Sequence, residues 1–143
     1  ITAELLQVPW VPKSFAMSIG PIQTMAMKLN FVCEDIAKVE ECEAEKYDTI
    51  TCFSTAKWVH LNNGDEGVKR LFRKVFKSLK PNGVFVFEPQ PWKSYRKKRL
   101  LTPQIKANFI SIKLKPVDFV EYLIATIGFK RAESLGTATT GTF

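Results

Sequence analysis

The 143-residue sequence predicts an α/β fold in which helices alternate with parallel strands. Three observations carry that prediction. Tyr47–Phe53 alternates β-branched and aromatic side chains, as a strand does. Asp65–Leu79 sets Val68, Leu71, Phe72, Val75 and Leu79 at i, i+3, i+4, i+7 and i+11, on one apolar helical face. Val84–Glu88 is a wholly apolar run closed by a glutamate, the pattern of an internal parallel strand covered on both faces.

In chain order, Ala3–Val8 reads as the end of a helix, after which Pro9, Pro12, Gly20 and Pro21 interrupt any regular element. Residues 1–27 are therefore an irregular insertion or connector, and 28–143 carry the sheet with its helices as one domain. Leu29–Cys33 is a short apolar strand, and the acidic stretch after it suits a surface loop or short helix. Tyr47–Phe53 is the second strand, followed by a loop through Asn63. The helix Asp65–Leu79 has Asp65 and Glu66 in its first turn and Lys77 and Lys80 near its last, matching the helix dipole, and Pro81-Asn82-Gly83 stops it. Its opposite side, with Lys69, Arg70, Arg73, Lys74 and Lys77, faces solvent. Pro103–Asn108 and Pro116–Ile127 read as helices opened by proline, the second burying Phe119, Val120, Leu123 and Ile127 and closed by Gly128. Phe129–Leu135 is a candidate last strand.

Composition narrows the function classes. With 45% hydrophobic and 24% charged residues, the length suits one soluble domain with a single core. The sequence has no apolar run near the roughly 20 residues of a membrane span and no secretory signal pattern, so an intracellular protein is expected. Cys33, Cys42 and Cys52 contain no C-x-x-C pair, and with a single histidine they make neither a disulfide framework nor a zinc site. They read as buried structural thiols. The net charge of +7 conceals an asymmetry: residues 34–48 hold seven acids against two lysines, whereas residues 57–115 hold fifteen lysines and arginines against three acids. A polyanionic partner is the simplest functional reading of the second stretch, and a solvated basic face the plain one.

In open parallel sheets, ligands lie at the carboxyl ends of the strands. Three segments converge there: Glu34-Asp35-Ile36, Phe53 through Asn63, and Glu88–Tyr95. The second offers Ser54, Lys57, Trp58, His60, Asn62 and Asn63, although Trp58 and His60 taken alone also suit packing. The third, E-P-Q-P-W-K-S-Y-R-K-K-R, joins a rigid turn to aromatics interleaved with cations. Stacking on Trp92 or Tyr95, with Lys93, Arg96 and Lys97 near phosphates, is its nucleic-acid reading. A basic loop or an import signal at Arg96–Arg99 is the alternative.

The motifs K-W-V-H-L-N-N-G-D-E-G at Lys57–Gly67 and E-P-Q-P-W at Glu88–Trp92, with the later L-K-P-V-D-F, resemble the methylphosphate capping enzyme (Bicoid-interacting protein) family of RNA methyltransferases. The resemblance runs from about Ser14 to Ser134 and is densest in Tyr47–Ser94. It implies a Rossmann-like methyltransferase sheet that is incomplete here, lacking its N-terminal cofactor-binding strands and its last strand. The implied reaction moves a methyl group from S-adenosylmethionine to the 5′-terminal phosphate of a small non-coding RNA, with no acid or base residue needed. On that resemblance Lys57, Trp58, His60, Gln90, Trp92, Tyr95 and Arg96 bind RNA or phosphate, and Asp35, Ile36 and Phe53 bind the cofactor. Where this chain has Asp35-Ile36, the family carries an Asn-aromatic pair. No glycine-rich turn precedes Leu29, and the sequence stops at Thr140-Gly141-Thr142-Phe143 where the family continues into a last strand, so both ends read as cut: a fragment of a longer protein, or a short form that no longer binds cofactor. The competing expectation is a catalytically inactive RNA-binding or scaffold module of the same fold. RNA-associated proteins are further expected partners, with no metal and no membrane, and the location expected is nuclear, with a cytoplasmic fraction.

Overall fold

In the computed structural model of this chain, the described residues are 35–36 and 42–135, all within the unit Asp35–Phe143. The expected helix end at Ala3–Val8, the connector over 1–27 and the strand Leu29–Cys33 lie outside them.

The described chain runs β1 (Tyr47–Phe53), α1 (Ala56–Ser78), β2 (Leu79–Glu88), α2 (Trp92–Lys98) and α3 (Pro103–Ser111). A 3₁₀ turn at Pro116–Asp118, the short α4 (Phe119–Tyr122) and a π-helical turn at Leu123–Ile127 follow. β1 and β2 pair in parallel with α1 as the crossover, as parallel strands require. Their ladder is regular from Thr49 opposite Val84 to Phe53 opposite Glu88. It is interrupted toward the start, where Tyr47 pairs Leu79, so that Asp48 alone faces Lys80-Pro81-Asn82-Gly83. Lys80 Nζ closes on Asp48 Oδ2 at 2.8 Å across that irregularity.

The amphipathic stripe of Asp65–Leu79 forms as its spacing predicts. Val68, Leu71, Phe72, Val75 and Leu79 are all buried, and Arg70, Arg73 and Lys77 are exposed. Phe72 sits at the centre, edge-on to Phe87 of β2 (5.5 Å) and to Phe119 of α4 (5.3 Å). A second, smaller cluster of Leu61, Tyr95, Ile105 and Ile112, flanked by Trp92 and Phe109, joins α1, α2 and α3. α3 starts with a capped turn: Thr102 Oγ1 accepts from the Ile105 N–H at 3.1 Å, with proline at the first helical position.

Several expectations are corrected. The segment after β1 is not a loop to Asn63: the helix begins at Ala56 and is kinked at Gly64 (φ 63°, ψ −167°). Ala56, Val59 and His60 are buried and form the missing apolar face at i, i+3, i+4, with the histidine counting as a core residue. Phe129–Leu135 forms no strand; the Phe129 N–H is taken by the Leu123 carbonyl at 3.1 Å, and its ring packs on Phe76 at 5.1 Å. β2 is not covered on both faces within the described residues, since Val84 is 54% exposed. Val120 is exposed while Phe119 and Leu123 are buried, because it follows Phe119 directly in α4 and so turns about 100° away from the face those two share. Gly128 ends that turn, as its sequence position suggests. Cys52 is buried and burial raises its thiol pKa; Cys42 is only partly covered. Among the described residues, no helix is long and apolar enough to cross a membrane, and no group of His, Cys, Asp or Glu has the arrangement of a metal site.

Candidate functional site

The carboxyl ends of β1 and β2 lie side by side, with Phe53 opposite Glu88. Beyond Phe53 the chain turns through Ser54, a non-glycine residue in the left-handed region at φ 54°. Such backbone strain costs about 1–3 kcal/mol and persists where surrounding contacts impose it. Here Ser54 Oγ donates to Glu88 Oε2 at 3.0 Å, and Thr55 Oγ1 donates to the Phe53 carbonyl at 2.9 Å. The two strand ends are thus tied, and α1 and α2 leave from them within a few residues.

Lys57, in the first turn of α1, is 8% exposed. Its Nζ donates to Ser94 Oγ of α2 at 2.9 Å and sits 4.7 Å from the Trp58 ring centroid. Among the described residues no carboxylate lies within ion-pair distance of it. A buried ammonium without a counter-ion is costly. Its place at a helix N-terminus adds a second positive field, so the spot favours an anion. On the adjoining Pro89-Gln90-Pro91 turn, Gln90 Oε1 is buried with no hydrogen-bond partner, an acceptor left for a ligand N–H or O–H. Trp58 and Arg96 are exposed beside these elements.

His60 and Tyr95 point the other way, into the core, and are fully buried. His60 Nε2–H donates to Asp65 Oδ1 at 2.8 Å, and Nδ1 faces the Tyr95 hydroxyl at 3.4 Å, the neutral tautomer that satisfies both contacts. Burial pushes the imidazole pKa below its ordinary value, against the opposing pull of Asp65, and burial pushes the Tyr95 phenol up. Asp65 also accepts from the Lys113 and Leu114 backbone N–H groups at 3.0 and 3.2 Å. Burial disfavours its charge, yet the hydrogen bonds from His60, Lys113 and Leu114 together hold its pKa below the usual value. This chain of contacts clamps α1, α2 and the segment after α3 and leaves His60 no opening to a substrate among the described residues.

Trp92 is half-buried and stacked on Phe109 at 4.8 Å and 13°, which anchors α2 on α3. Of the residues tied to the cofactor, Phe53 stands 55% exposed at the strand ends. Ile36 instead lines a groove of about 320 Å³ with Thr49, Ile50, Lys74 and Val75, midway along β1, and its carbonyl accepts from Lys74 Nζ at 2.8 Å. Asp35 is its chain neighbour and exposed. Lys57, Trp58, Gln90 and Phe53 therefore lie within a few residues of the strand ends, Arg96 follows exposed on α2, and His60, Tyr95, Trp92 and Ile36 are set elsewhere. Sequence reading did not single out Ser94, which holds Lys57, or the Ser54–Glu88 tie. A lone serine carries no periodic signal, and only the parallel register brings these partners together.

The family model described as Bicoid-interacting protein 3 (Bin3) matches residues 47–143. The chain belongs to the Bin3 family. Within it, the chain is 41% identical over 134 residues to the mouse 7SK snRNA methylphosphate capping enzyme, covering 92% of this chain and 20% of that protein. It is 42% identical over 113 residues to a probable RNA methyltransferase of Arabidopsis thaliana, covering 79% of this chain and 36% of that protein. It is 38% identical over 108 residues to the Drosophila melanogaster U6 snRNA methylphosphate capping enzyme Amus, covering 75% and 36%. The chain thus spans about a fifth to a third of the length of these curated relatives. The Bin3 match includes both strands, the kinked helix and the basic α2.

Proposed function

We propose that the protein of which this chain forms part is an S-adenosylmethionine-dependent methyltransferase that methylates the 5′-terminal phosphate of a small RNA, on a Rossmann-like sheet. The observation that carries the reading is Lys57, a buried cation held by Ser94 beside the strand ends with no carboxylate partner among the described residues. Names of Bin3 relatives support the reaction class: two are methylphosphate capping enzymes of 7SK and U6 snRNA, and a rat relative, 38% identical over 50 residues, is an RNA 5′-monophosphate methyltransferase. A nuclear location and contacts with RNA-associated proteins belong to the same reading.

S-adenosylmethionine, when bound, supplies an electrophilic methyl group. Phe53 offers an exposed flat apolar face for such a group, and the orphaned Gln90 Oε1 offers the RNA end an acceptor; of the two residues the family resemblance adds to the cofactor set, Ile36 lines the separate groove along β1, with Asp35 next to it in the chain. A terminal phosphate oxygen is already anionic at neutral pH, so no side chain has to remove a proton. What remains is positioning and charge balance. Lys57 holds the phosphate, Ser94 and Trp58 fix the direction of its ammonium, and Arg96 at the exposed edge meets the next phosphate. The Ser54–Glu88 tie keeps the two strand ends in register around them.

Lys57→Ala in the full-length protein is expected to lower methyl transfer to a 5′-phosphorylated RNA by roughly 10- to 100-fold in kcat/KM, the worth of a charge-assisted hydrogen bond. Transfer at the parental rate would remove Lys57 from the site. The surplus of cations on α2 also suits a non-catalytic RNA-binding module of the same fold. In that case RNA binding would persist with no calorimetric signal for S-adenosylmethionine.

A further inference from the structure

From Pro89 to Val117 the sequence contains no acidic residue and eight basic ones. The cations of α1 are partly neutralised within their own helix, since Glu66 pairs with Lys69 at 2.8 Å and with Arg73 at 3.8 Å. On α2 the situation differs: Lys93, Arg96, Lys97 and Lys98 are all exposed, and none has an ion-pair partner among the described residues. Lys93, Arg96 and Lys97 stand at i, i+3 and i+4 and form one face. The opposite face is pinned, with Tyr95 fully buried beside Leu61 and Ile105 and Trp92 stacked on Phe109. Arg99 Nη1 donates to the Arg96 carbonyl at 2.7 Å and caps the helix end. A rigid helix whose free face carries only cations is a ready track for a polyanion, and exposed Lys98 flanks that face at the far end of the helix, about 9 Å along it from Trp92 at 1.5 Å per residue.

We infer that α2 is a backbone-tracking surface for the RNA body beyond its terminal phosphate, an inference that rests on the methyltransferase reading above. The track starts at the strand ends, where Lys57 and Ser94 meet, and runs away from them through Lys97 and Lys98. It reads phosphates and not bases, so it confers affinity for length of RNA without choosing its sequence. A substrate long enough to follow α2 gains from it; one ending within a nucleotide or two of the reacting phosphate does not.

The experiment compares the full-length protein with its Lys97→Gln/Lys98→Gln variant, using a long 5′-phosphorylated RNA and a 5′-phosphorylated dinucleotide, with binding of the long RNA followed across a salt series. The variant is expected to flatten the slope of log affinity against log salt by about 1.4–1.8 for two lost phosphate contacts. Its KM for the long RNA should rise roughly tenfold, with dinucleotide transfer unchanged. An unaltered salt slope overturns the inference, as does an equal loss on both substrates, which would place these lysines at the reacting end. Unchanged RNA binding with lost nuclear accumulation would make the run an import signal and overturns it too. If the parental protein transfers methyl to neither RNA, the enzymatic reading fails, while the salt slopes still decide whether α2 tracks RNA.

Discussion

At the scale of single residues, the site is organised by who satisfies whom. Lys57 is held by a hydroxyl and an aromatic face, and Ser94→Ala is expected to lower methyl transfer about fivefold, less than Lys57→Ala, because Ser94 only positions an ammonium that the variant retains. A kinetic comparison of the two proteins checks this, and an effect as large as that of Lys57→Ala would make Ser94 a direct contact. Asp65 satisfies three N–H donors at once, from His60, Lys113 and Leu114. Asp65→Ala strands them and should cost about 3 kcal/mol in urea unfolding, whereas Tyr95→Phe, which loses a 3.4 Å contact, should cost under about 1 kcal/mol. Equal costs would show that His60 leans on both partners alike. From the sequence, Asp65 was legible as a helix-start acid and His60 as a polar loop residue. Their pairing across the Gly64 kink was not, since it depends on a backbone reversal that no spacing rule encodes.

At the scale of elements, the G-D-E-G sequence explains the bend that makes α1 serve two clusters. Gly64 combines a positive φ with an extended ψ, a conformation essentially reserved for glycine, so Gly64→Ala is expected to destabilise by about 1–3 kcal/mol, read as a lower urea midpoint. Gly67 lies under Asn63, whose side chain occupies the place a Cβ would take. Before the bend, Ala56 and Val59 face the large core while Leu61 joins the small one; after it, the stripe from Val68 to Leu79 stays with the large core. The stripe was legible because five apolar residues keep one helical period. The segment before it was hidden because a buried histidine counts as polar in any pattern. β1 and β2 were legible from composition, but the apolar length of β2 did not reveal that Val84 would stay exposed.

At the scale of the whole molecule, the buried His60 makes stability depend on pH. Its folded pKa lies below the ordinary 6.5, so above that pH both folded and unfolded states are neutral and the contribution is complete. Below it the unfolded chain takes the proton first, and stability falls until the folded pKa is reached. Asp65, also depressed, adds a second loss below its ordinary 3.8. Thermal unfolding followed downward from neutral pH should therefore show a first decline beginning near 6.5 that His60→Gln removes; a flat profile there would mean His60 is not buried neutral. The sequence by itself determined the alternation of strand and helix, the core stripe of α1, the basic bias after Glu88 and the motifs that mark the family, because each is a local pattern of spacing or charge. Only the tertiary structure decided which residues meet at the strand ends. Lys57 with Ser94, Ser54 with Glu88 and Asp65 with Lys113 are separated by 34 to 48 positions along the chain, and the parallel register and the kink at Gly64 bring them within hydrogen-bond reach.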